Sequence, residues 1–159
     1  MKRALVLYHS LFGNTKTVAM SLARGIERLE IEVDVLSIDE VDIKEIPEYN
    51  FVAIGSPTHN IKPSKEMKEF LKKLGTIELK GQLGFSFDTR NESRMNNRNL
   101  ALLENSAARS IEGFMKRMKM RIIKPRFSAI VYGREGPLNA DVEEVFLQIG
   151  REIGSVLAV

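Results

Sequence analysis

The stretch Val6-Leu7-Tyr8-His9-Ser10-Leu11-Phe12-Gly13-Asn14-Thr15-Lys16-Thr17-Val18-Ala19 decides how the rest of the chain is read. It opens inside a short apolar run, Ala4-Leu5-Val6-Leu7-Tyr8, of the kind that forms strands buried on both faces. It closes inside a helical pattern, in which Val18, Leu22, Ile26 and Leu29 are spaced to share one face. Between strand and helix lies a short loop with hydroxyls at both ends. The N-terminus of a helix leaves N–H groups without acceptors, and its dipole favours an anion. Ser10 and Thr15 add hydroxyl donors, and Gly13 lets the backbone come close to a ligand. Ser10, Leu11, Phe12, Gly13, Asn14 and Thr15 thus have the parts of a phosphate site that needs no bound cation. Simple helix capping by Ser10 or Asn14 is the competing reading. The spaced glycines of the dinucleotide fingerprint are missing, and so is the Gly-Lys-Ser/Thr ending of a P-loop.

Working outward, strands and helices alternate. Ile31, Val33 and Val35 alternate with Glu32 and Asp34, a peripheral strand. Phe51-Val52-Ala53-Ile54 gives a third strand, ended by the loop signal Gly55-Ser56-Pro57. Met67, Phe70, Leu71 and Leu74 mark a helix that starts near Ser64 and stops at Gly75. Leu83-Gly84-Phe85-Ser86-Phe87 is a fourth strand, and the polar run from Asp88 to Asn99 reads as loop. Ala107, Ile111, Phe114, Met115 and Met118 are helical in spacing. Ile122-Ile123 and Phe127 to Val131 form a fifth strand in two pieces around Pro125, followed by a turn at Gly133-Arg134-Glu135-Gly136-Pro137. Val142, Val145, Ile149, Ile153 and Val156 make a closing amphipathic helix. The acidic segment Ile38 to Asn50 is irregular in period, with room for a short helix that the pattern does not fix. The alternation predicts one α/β domain over residues 1–159, a three-layer, doubly wound, five-stranded parallel sheet in the order 2-1-3-4-5. Ligands then bind at the switch point between strands one and three, so the loops after strands one, three and four carry the function.

Composition narrows the chemistry. The absence of cysteine excludes disulfides, thiolate nucleophiles, iron–sulfur clusters and cysteine-bound zinc. His9 and His59 are the only histidines, too few for a histidine-rich metal site. A net charge of +3 is a slight cationic excess with no nucleic-acid motif behind it. No apolar run reaches the length of a membrane helix, and the charged start with its short apolar run reads as a strand, not a signal peptide. A cytoplasmic location is expected. A phosphoacceptor receiver domain shares the strand order but needs acidic residues after strand one and an Asp ending strand three. His9-Ser10 and Gly55 occupy those places.

The opening stretch also matches the signature of the flavodoxin family: two apolar residues, an aromatic, a Ser or Thr, a small residue, a Thr and an Ala at fixed spacing. The chain resembles a short-chain, FMN-binding flavodoxin-domain protein. The resemblance implies an FMN whose phosphate is held by amides and hydroxyls of Ser10 through Thr15. It implies that Gly55-Ser56-Pro57-Thr58-His59-Asn60 runs along the flavin ring, with His59 stacking on it or hydrogen-bonding to it. Phe87, Asp88, Thr89 and Arg90 would flank the pyrimidine end. Phe87-Asp88-Thr89-Arg90 and Gly133-Arg134-Glu135-Gly136-Pro137-Leu138 resemble a subgroup of such proteins.

This chain departs from ordinary flavodoxins in two respects. Neither ring-side loop has a large aromatic to cover the flavin. Arg90, Arg94 and Arg98 stand where acidic residues are usual, so Coulomb attraction to the reduced anion predicts a less negative low potential. The basic run Lys116, Arg117, Lys119, Arg121, Lys124 and Arg126 reads as a solvated helix end. Docking to an acidic redox partner is its functional alternative. The expected function is electron transfer with redox partner proteins, acidic ones among them, by a monomer or weak homo-oligomer. No catalytic side chain, metal, nucleic acid or membrane insertion is required. Two alternatives stand beside it. One is an FMN-dependent NAD(P)H:quinone-type oxidoreductase, ranked lower because no insertion builds a substrate pocket. The other is a binding or regulatory module that kept the fold and lost FMN, suggested by the missing ring aromatics.

Overall fold

The computed structural model describes residues 1–59, 61–91, 105–133 and 135–159. Its strands are β1 (Lys2–Tyr8), β2 (Ile31–Ser37), β3 (Phe51–His59), β4 (Lys62–Pro63), β5 (Leu83–Asn91), β6 (Arg121–Ile122) and β7 (Phe127–Val131). Its helices are α1 (Asn14–Ile26), α2 (Lys65–Leu74), α3 (Ala107–Arg117) and α4 (Val142–Leu157), with a 3-10 turn at Ile43–Glu48. The sheet path is β2-β1-β3-β5, and both β6 and β7 pair with β5 on its far side. All of these pairings are parallel, and only the short β4 runs antiparallel, against the end of β3. With β6 and β7 counted as one interrupted strand, this is the expected 2-1-3-4-5 order. The interruption spans Pro125, which has no N–H to give a ladder.

The central strands are apolar along their length because helices cover both faces. On one face α1 and α4 close over Val6, Phe51, Phe85 and Phe87. On the other α2, α3 and the 3-10 turn close over Leu5, Leu7, Val52 and Ile54. Serine caps start two helices: Ser64 Oγ accepts from the Met67 amide, and Ser106 Oγ from the Arg109 amide.

Several boundaries differ from the sequence reading. β3 continues to His59 and β5 to Asn91, so residues expected in loops lie on strand ends. Parallel pairing of Ser56 with Asp88 and of Pro57 with Thr89 carries the ladder past the apolar core, where periodicity no longer reports it. Leu29 lies beyond the end of α1 and is 97% exposed. On α4 the buried stripe is Val142, Phe146, Ile149, Gly150, Ile153, Gly154 and Leu157, while Val145 and Val156 are exposed.

Glycine explains that shift. α1 and α4 cross at Gly25, Gly150 and Gly154, where backbone lies on backbone. A Cβ on Gly25 would stand 2.1 Å from the Leu147 carbonyl oxygen and 2.8 Å from the Arg151 amide nitrogen. Gly25→Ala is therefore expected to lower stability by about 2 kcal/mol or more, the range of overpacked cores. Urea unfolding measures it, and an unchanged midpoint would show that the two helices can part freely.

Candidate functional site

The loop after β1 is shaped by one residue in the left-handed region. Gly13 has φ +92°, serves as the N-cap of α1, and has open space where a Cβ would be. No side chain caps α1. Ser10 Oγ instead accepts from the Gly13 amide (3.0 Å), which closes the loop on itself. The Asn14 side chain turns away to donate to the Glu135 carbonyl (3.0 Å). Thr17 Oγ1 donates to the Gly13 carbonyl. Neither residue that could have capped the helix does so. The first-turn amides, which no helix can satisfy internally, stay available to an anion. No acidic residue stands in that first turn to compete.

Around this loop the C-terminal ends of the strands enclose a cleft of about 420 Å³, within the range of small-ligand and cofactor sites. Ser10, Leu11, Phe12, Asn14 and Thr15 line it from the first loop, Pro57, Thr58 and His59 from β3, and Thr89 and Arg90 from β5. These are sequence candidates brought to one place by the switch point between β1 and β3. Leu11 and Phe12 are about half exposed at the rim. Thr15 and Thr89 share a buried hydrogen bond between hydroxyls (2.9 Å), which joins the phosphate loop to β5. Arg90 is 8% exposed and is the charged arginine or lysine of the lining among the described residues.

Other candidates stand behind the cleft. Phe87 is fully buried: its ring fills the place where a Gly55 side chain would be and meets Phe85 and Phe146. Ser56 Oγ accepts from the Ser64 amide and ties β3 to the start of α2. Ser64 Oγ also lies 2.7 Å from Nδ1 of His9, whose amide donates to the Gly55 carbonyl. Asp88 is fully buried. Its Oδ2 accepts from Thr58 Oγ1 (2.8 Å) and from the Ala108 amide (3.2 Å), and Thr58 Oγ1 in turn accepts from the Ala107 amide. Asp88 thus fixes the cleft-lining Thr58 to the start of α3. Asn60, Arg94, Arg98 and Arg134 lie outside the described residues.

Asn91, Val131 and Gly133 also line the cleft and escaped the sequence reading. The turn at Glu135 and Gly136 holds Asn14 from the side, and a Cβ on Gly136 would stand 3.2 Å from Asn14 Oδ1. The Gly-rich composition of that turn and the subgroup resemblance of Gly133 to Leu138 hinted at it; its contact with a loop far away in sequence is a product of the fold.

Charges beside the loop are arranged on the β2 side. The Glu40 carboxylate is held below its ordinary range by hydrogen bonds from Ser37, with Lys16 adding attraction. The Tyr8 hydroxyl is pushed up by burial and then by the charge of Glu40. Among the described residues no cluster of metal-ligating side chains occurs, and no helix is long and apolar enough to cross a membrane.

Fold and cleft together place an open helix start and its cleft at the switch point of a doubly wound sheet. Comparison with known proteins names the class. The family model described as flavodoxin matches residues 6–148, and the chain belongs to the flavodoxin family, whose cofactor is FMN. A flavodoxin of Clostridium saccharobutylicum is 36% identical over 87 residues, covering 54% of this chain and 54% of that protein. The chain spans about half the length of the curated flavodoxins it matches. An archaeal flavodoxin structure superposes with a TM-score of 0.78 at 24% identity, covering 99% of both chains. Flavodoxin 1 from Bacillus cereus gives 0.80 at 17% identity, covering 97% of this chain and 98% of the other. These two likenesses are of fold.

The Asp88 tie gives a test of how the cleft is held. Asp88→Ala leaves the Ala108 amide without its carboxylate and is expected to cost about 1–3 kcal/mol. Chemical denaturation reads it. Wild-type stability would mean that Asp88 does not hold the start of α3.

Proposed function

We propose that this chain binds FMN in the cleft and carries electrons between redox partner proteins. The observation that carries the reading is the start of α1: uncapped, free of acidic residues, entered through Gly13, and placed at the sheet's switch point. Amides of the Ser10–Thr15 loop hold the phosphate, with the hydroxyls of Ser10 and Thr15 as further donors. Pro57, Thr58 and His59 border the ring along β3. Thr89, Arg90 and Asn91 border it along β5. Leu11 and Phe12 offer apolar cover at the rim in place of the missing large ring aromatics. Bound FMN supplies one- and two-electron chemistry, so the protein's part is to bind, orient and set the field. The protein acts in the cytoplasm, as a monomer or weak homo-oligomer.

Arg90 sets the field. A buried guanidinium beside the cleft favours added negative charge in it. The first experiment is a visible absorption spectrum before and after addition of FMN and repurification. Yellow flavin bands that stay with the protein support the reading; a colourless protein that does not retain added FMN would overturn it in favour of a module that has lost the cofactor. With FMN bound, Arg90→Gln is expected to make the midpoint potential more negative, by an interaction on the order of 1 kcal/mol or about 40 mV for one electron. An unchanged potential would remove Arg90 from the account.

A further inference from the structure

A second concavity, of about 690 Å³, lies between α2 and α3. Its floor is apolar: Pro63, Leu71 and Phe114 are buried, and Met118 is half-buried. Its walls are cationic, with Lys62, Lys68, Lys72 and Arg117 all exposed and no carboxylate among the lining residues. Among the described residues, none of these four cations makes an ion pair. The nearby acid Glu112 is engaged by Arg126 and Lys116.

Lys72 and Arg117 stand in the last turns of α2 and α3, where cations suit the helix dipole. Lys68 is four residues before Lys72, a spacing at which like charges weaken a helix, and Lys62 is on no helix, so the dipole does not account for the whole set. An apolar trough walled by one sign of charge is complementary to an amphipathic helix with its apolar face down and carboxylates along its flanks. The groove is also joined to the cofactor cleft by one short hairpin. His59 lines the cleft, Lys62 lines the groove, and the two are paired across β3 and β4.

We infer that the α2–α3 groove is the docking surface for an acidic redox partner, which inserts an amphipathic helix rich in Glu or Asp. The inference rests on the electron-carrier reading for the partner's purpose. The helix's carboxylates meet Lys68 and Lys72 on one wall and Lys62 and Arg117 on the others. The seated partner thereby touches the hairpin that borders the cleft, which places it beside the site without covering the phosphate loop.

The test uses the FMN-loaded protein and a synthetic amphipathic helical peptide, with leucines on one face and glutamates at i, i+4 on both flanks. Amide shifts are mapped by NMR during titration. Shifts are expected at Lys68, Lys72, Thr76, Phe114 and Arg117, with affinity falling as salt is raised. The double variant Lys68→Glu/Lys72→Glu is expected to weaken binding by roughly tenfold or more through like-charge contact. Lys44→Glu/Lys80→Glu, which makes the same change in net charge at exposed residues outside the groove, is expected to leave it within about twofold. Equal weakening by both variants, shifts confined to the FMN cleft, or no binding at low salt would overturn the proposal. So would binding to anionic lipid vesicles with none to the peptide. Flavin absorbance is recorded in the same samples, so failure of FMN binding is seen separately from failure of the groove.

Discussion

A helix that starts without a cap is an unsatisfied set of donors, and this molecule holds one at the centre of its sheet edge. Everything near the start of α1 works to keep those amides free. Gly13 takes the positive φ that turns the chain from β1 into α1. Ser10 spends its oxygen on the Gly13 amide, and Asn14 is drawn off to Glu135. An acidic residue in the first turn would satisfy the dipole and repel a phosphate; the turn has none. The chain's family is the flavodoxins, whose cofactor FMN carries a phosphate.

Such a start has to be held rigidly, since open donors gain nothing from folding until a ligand meets them. The holding is polar and buried. Thr15 and Thr89 bridge the loop to β5, His9 and Ser56 converge on Ser64 at the start of α2, and Asp88 ties Thr58 to the start of α3. Thr58 to Asp88 joins β3 to β5, and the other bonds join strand residues or strand ends to the beginnings of helices. Behind them, Phe87 packed into the space above Gly55 keeps β3 and β5 in contact. The lining residues face the cleft while a second row, just as specific, fixes their positions.

The sequence made the sheet order and the glycine-entered loop before α1 legible, because both depend on local pattern: continuous apolar runs, a helical stripe, and a glycine between hydroxyls. It misread what depends on neighbours far along the chain. Asp88, Thr89 and Arg90 are polar and read as loop, yet pairing with Ser56 and Pro57 on one side and with Ser128, Ala129 and Ile130 on the other makes them strand. The family resemblance points to Ser56, Phe87 and Asp88 as well, but they lie one step deeper along β3 and β5 than the cleft-lining Pro57 to His59 and Thr89 to Asn91, and they support the cleft from behind. The stripe on α4 was displaced because two glycines, silent in a hydrophobic pattern, form the face that meets α1. Asn91, Val131 and Gly133 reach the cleft only through the placement of β5 and β7.

The central claim is that the α1 start is a phosphate site, and comparison of FMN with riboflavin isolates that one group. Calorimetric titration of the FMN-free protein with each ligand measures the difference. The account predicts that FMN binds at least about 100-fold more tightly, the worth of a few charge-assisted hydrogen bonds. Equal affinities would contradict it, because the amides that Gly13 keeps open would then contribute nothing to binding.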